Sequence, residues 1–161
     1  MRIMDLLVVR LLVVALIAFK ALDAFFATAL TIAYRTNAGG VAERLGRLTP
    51  GDDYVRLIPL MDAVPLWLHG LWVLAGVLYL IAIACFVRRT RQAHVFVLAA
   101  LSIEVIAKIV ERPIIQATGV IVNPHPSAIA TVVIPFVVPL LLALVLWQAN
   151  RQTPSSTSAS R

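Results

Sequence analysis

Charge and cysteine are the two things this chain has least of. Only 14% of its 161 residues are charged, against roughly 25% in a soluble globular domain. A single cysteine, Cys85, excludes an internal disulfide and any paired-thiol redox motif. Acids are scarcer than bases, 8 Asp and Glu against 14 Lys and Arg, which gives a net charge of +6. Catalytic signatures are also missing. No glycine-rich phosphate loop, metal-ligand spacing or nucleophile motif occurs, and the sequence implies no cofactor.

What is present is apolar. Hydrophobic residues make up 61% of the chain, above the roughly 45–50% of soluble proteins. A domain of this size has too little interior to hide that much apolar surface. Four stretches reach the roughly 20 residues that a helix needs to cross the hydrocarbon core. They run over about 6–34, 65–87, 93–110 and 127–147. Inside a bilayer every backbone N–H and C=O must be paired internally, so such stretches are helices. The expectation is an all-α integral membrane four-helix bundle, a single membrane domain over 1–151. A polar, disordered Ser/Thr-rich tail over 152–161 follows. Ala27-Thr28-Ala29 resembles a signal-cleavage site, but Lys20 and Asp23 interrupt the apolar run before it. The first segment therefore reads as a retained span.

The loops set the orientation. Arg88, Arg89 and Arg91 crowd the short link between spans two and three. With Arg2, Arg10, Arg151 and Arg161 they place seven bases on one side against one acid, Asp5. The other side carries Arg35, Arg44, Arg47, Arg56 and Arg112, balanced by Glu43, Asp52, Asp53, Asp62 and Glu111. The positive-inside rule then puts both termini in the cytoplasm of a cell, bacterial-type inner, membrane. The same arginines meet anionic lipid head groups, so the lipid bilayer rather than nucleic acid is the expected partner.

The outer connection, 36–64, is the largest extramembrane piece. Val41, Leu45 and Leu48 recur at helical spacing after Gly39-Gly40, which predicts a short interfacial helix. Thr49-Pro50-Gly51-Asp52-Asp53 reads as a turn, and Asp62 as the N-cap of the second span. Trp67, Trp72, Trp147 and Tyr34 fall near span boundaries, as aromatic anchors do. Gln116, Thr118 and Gly119 are candidates to cap the third helix or line its outer mouth.

Four charges fall inside the spans: Lys20, Asp23, Glu104 and Lys108. Each costs roughly 2.5–3.5 kcal/mol at the bilayer centre, so such residues face the interior and pair. Spans one and three run in the same direction. At 1.5 Å per residue, Lys20 and Asp23 lie roughly 21 and 25 Å from the cytoplasmic end, and Glu104 and Lys108 roughly 17 and 23 Å. Matched signs at matched depths predict helices one and three side by side, with Lys20 on Glu104 and Asp23 on Lys108. The cluster serves either as a register lock or as a proton or substrate site.

Weaker candidates are a polar outer-face site from His69, His125, Asp52, Asp53 and Asp62, and a kink in the fourth helix at Pro135 and Pro139. The layout, four helices with a long first outer loop and Arg10-Leu11-Leu12 running on to Lys20, resembles the DoxX-like small membrane proteins. It is an architectural resemblance that carries no functional residue over. Three functions stay open: a non-catalytic accessory, assembly or interaction component, in a homo-oligomer or larger membrane complex; a small proton-coupled permease using Asp23 and Glu104; or a membrane enzyme acting on lipid or quinone at the outer face.

Overall fold

Long apolar runs without glycine pairs fold as continuous helices, and four do so among the described residues. A computed structural model describes residues 7–40, 44, 61–119 and 126–151. The protein is all-α, and no strand occurs among the described residues. The helices are α1 (Leu7–Arg35), α2 (Leu66–Val87), α3 (Ala93–Ala117) and α4 (Pro126–Arg151), with a 3-10 turn at Ala38–Gly40. Two of them, α2 and α3, are long and apolar enough to cross a membrane, with mean hydropathy of 2.5 and 2.0. The interfacial helix expected at Val41–Leu48, the turn at Thr49–Asp53 and the tail 152–161 lie outside the described residues, apart from helical Arg44.

Helices adjacent in sequence are adjacent in space: α1 packs on α2, α2 on α3 and α3 on α4, while α1 only brushes α4. Their shared core takes Val13, Ile17 and Ala21 from α1, and Ala75, Tyr79 and Ala82 from α2. It adds Ala93, Val97 and Ala100 from α3, and Leu142, Ala143 and Leu146 from α4. The many alanines let the helix backbones approach closely. On α3 the buried positions Ala93, Val97, Ala100, Glu104 and Ala107 recur every three or four residues, one face of a helix. Gly76 of α2 makes room for the Phe25 ring of α1. A Cβ there would lie 2.9 Å from the Phe25 ring, inside van der Waals contact.

The expectation that helices one and three lie side by side is not met. Their backbones scarcely touch, because α2 lies between them and packs against both. They sit diagonally across the core, and only their deepest side chains meet.

The helix ends carry distinct chemistry. At the exit of α2, Thr90 N–H donates to Cys85 O (2.9 Å) and Arg89 N–H to Phe86 O (3.1 Å), with Arg89 left-handed at φ 57°. That is a Schellman closure with arginine where glycine is the usual residue. At the exit of α3, Thr118 donates its hydroxyl to Ile115 O (2.6 Å) and Gly119 takes φ 69°. The helix passes through Pro113 and ends at Ala117, seven residues beyond Val110. Likewise α4 runs unbroken through Pro135 and Pro139, and Pro139 is fully buried.

Asp62 does not cap α2. The N-cap is Pro65, with no side-chain hydrogen bond. Separately, the carbonyls before α2 accept from α1. The Arg35 guanidinium donates to Met61 O (2.6 and 2.9 Å), Asp62 O (2.9 Å) and Val64 O. Arginine presents several donors in a planar fork, so it can gather carbonyls that one carboxylate cap, an acceptor, could not serve.

Candidate functional site: a buried ion pair between α1 and α3

The buried stripe of α1 runs through Val13, Ile17, Lys20, Ala21, Ala24, Thr28 and Thr31. Thr28 and Thr31 turn their hydroxyls onto the carbonyls of Ala24 and Ala27, both at 3.1 Å. They thus satisfy themselves within their own helix and ask nothing of its neighbours. Lys20 cannot do so. Its ammonium crosses the core to the Glu104 carboxylate at 2.8 Å, with side chains 7% and 2% exposed. Tyr79 of α2 completes the group. Its ring faces the Lys20 ammonium with 5.9 Å to the centroid, the outer limit of a cation–π contact. Its hydroxyl lies beside Glu104 but is fully buried without a well-formed hydrogen bond among the described residues. Lysine, glutamate and tyrosine from three successive helices therefore meet at one point.

The other expected pair does not form. Lys108 turns along its own helix to Glu111 at 2.9 Å, and its ammonium stands 4.8 Å from the Trp72 ring centroid on α2. Asp23 is exposed and has no ion pair among the described residues. The reason is rotational. At about 100° per residue, Asp23 lies roughly 100° from the centre of the buried stripe of α1. Across a diagonal only central positions reach, and flank positions turn to whichever helix is nearer.

His69 is buried, 8% exposed, in the first turn of α2, and neither ring nitrogen has a hydrogen-bond partner among the described residues. It stands within electrostatic range of Arg35 and Glu111. Asp62 is exposed. His125, Asp52 and Asp53 lie outside the described residues, as does the side chain of Pro135. No group of three or more His, Cys, Asp or Glu among the described residues could hold a metal ion. Two contributors escaped the sequence reading. Arg35 was counted only as a loop charge, although an arginine ending one helix just before a helix-linking segment is placed to bind carbonyls. Tyr79 carried no signal beyond its position midway along an apolar span.

No protein-family model, curated protein or solved structure matches this chain.

Proposed function

We propose that the chain is a small multi-pass protein of a bacterial-type inner membrane. In this reading it is a four-helix bundle with both termini cytoplasmic, acting as a non-catalytic accessory, assembly or interaction component. Membrane residence is supported by burial. The apolar windows of α2 and α3 are only 28% and 33% buried. The core helix of a soluble protein would be mostly buried, and a signal sequence would lie near the N-terminus. Leu66, Leu74, Leu80 and Val87 point outward from α2, all at least 46% exposed. Exposed Trp67 and Trp147 suit the head-group boundary.

The observation that carries the functional half is the sealed Lys20–Glu104 pair. Two opposite charges close together in an apolar core neutralise each other and tolerate only one register. An enclosed pair suits a lock better than a carrier site, which must open to each side in turn. The deciding experiment is flux through liposomes holding the purified protein, driven by a pH gradient, alongside extraction of native membranes in mild detergent. The expected result is no flux above empty liposomes and co-extraction in a defined complex. Gradient-driven flux abolished by Glu104→Gln would replace this reading with a proton-coupled permease. The buried, poorly bonded Tyr79 hydroxyl beside Glu104 favours that second reading.

A further inference from the structure

On the face of α1 turned away from α2, Ala15, Phe19, Leu22, Phe26 and Ala29 are all exposed. The three large members are 67%, 67% and 66% exposed. Their spacing, four, three, four, three, is the a/d pattern of a helix–helix seam. Asp23 follows the central Leu22, at the flanking position where charges across a coiled coil select partner and orientation. The seam is thus a second helix-packing stripe on α1, distinct from the one that meets α2.

Charge accounting identifies what the seam fits. Among the described intramembrane charges, Lys20 is held by Glu104 and Lys108 by Glu111, and Lys108 is also stacked on Trp72. Asp23 is the carboxylate left over. A second copy supplies a poor complement. Symmetric pairing of two α1 seams would set Asp23 against Asp23, the Lys108 of a second copy is already engaged, and its exposed Arg112 on α3 could meet Asp23 only in a head-to-tail contact rather than a two-fold one. Arg10 lies about 20 Å away along the helix axis and faces the Phe86 ring. Arg35 is bound to the carbonyls before α2. We infer that the outward seam of α1 docks a transmembrane helix of a different protein, one that carries a lysine or arginine at the depth of Asp23. This rests on the interaction reading above and names its surface and the partner's chemistry.

The experiment places a photo-crosslinking residue at Phe19 or Phe26, and separately at Leu74 or Leu80 of α2, in the full chain within its native membranes. The expected product from α1 is an adduct with another protein, mapped to a transmembrane helix containing Lys or Arg. Asp23→Lys should lower its yield at least tenfold, and exchanging the partner's cation for aspartate should restore it. Asp23 is exposed, so D23K should leave the thermal unfolding of the purified protein unchanged, which separates lost docking from lost folding. An adduct with a second copy, or one indifferent to the charge at residue 23, overturns the inference. Adducts arising only from α2 overturn it while leaving the interaction reading standing. An absence of protein adducts from either helix removes both.

Discussion

Two lysine–glutamate pairs in this protein are almost equal in length and opposite in circumstance. Lys20–Glu104 spans 2.8 Å between helices with both side chains sealed. Lys108–Glu111 spans 2.9 Å within one helix, with Lys108 half exposed. Distance alone would rank them together. What separates them is what each side chain does when its partner is removed. A freed Lys108 can turn outward or rest on Trp72, as long amphipathic side chains do. A freed Lys20 stays in the core with an uncompensated charge.

The largest break in that comparison is Glu104→Ala. Orphaning a buried charge costs about 3–5 kcal/mol, so unfolding in mild detergent, by heat or by SDS titration, should shift strongly. Replacing both partners, Lys20→Met with Glu104→Leu, should recover most of that loss, because well-packed apolar residues can match a buried pair. Failure to recover would mean that the charges do more than hold register. The exchange Lys20→Glu with Glu104→Lys asks the same question with both charges kept.

A smaller effect is expected at Tyr79. Its hydroxyl makes no well-formed hydrogen bond, so Tyr79→Phe should be neutral or stabilise by about 1 kcal/mol. A clear destabilisation would show the hydroxyl holding Glu104. Comparable in size is Arg89→Gly. A left-handed residue with a side chain costs about 1–2 kcal/mol relative to a relaxed one, so the variant should gain stability in detergent. If arginine stands there for orientation, the same variant should weaken the topology read by reporter fusions at the C-terminus. The smallest effect belongs to the pair within α3: Lys108→Ala should cost no more than about 0.5 kcal/mol.

The two pairs also show how far the sequence could be read. Hydropathy and length located all four helices because an apolar run of that length leaves few alternatives. Charge sign and depth brought Lys20 to Glu104, since both quantities follow from residue number along a straight helix. Rotation did not follow. Lys20 and Asp23 are three residues apart and were read as one face, yet Lys20 lies within a narrow buried stripe and Asp23 beyond its edge. That edge is set by which neighbour packs where, and α2 between α1 and α3 leaves no mark in the hydropathy of either. Asp62 was misread for a related reason. An acceptor for the first N–H groups of α2 is expected there, but the helix starts after Pro65 without a side-chain cap, and the residues before it are held by their carbonyls through Arg35, 26 residues before Met61.

The Arg35 contacts have a consequence for how the molecule can change. They tie the end of α1 to the start of α2, so any connection between those two points is pinned at both ends whatever its contents. The closure entropy of such a loop grows only slowly, by about 0.6 kcal/mol for each doubling of length. An epitope inserted between residues 41 and 60, or a shortened or exchanged sequence there, should therefore leave α1 and α2 in their places. Removing Arg35 would make helix positions answer to loop length.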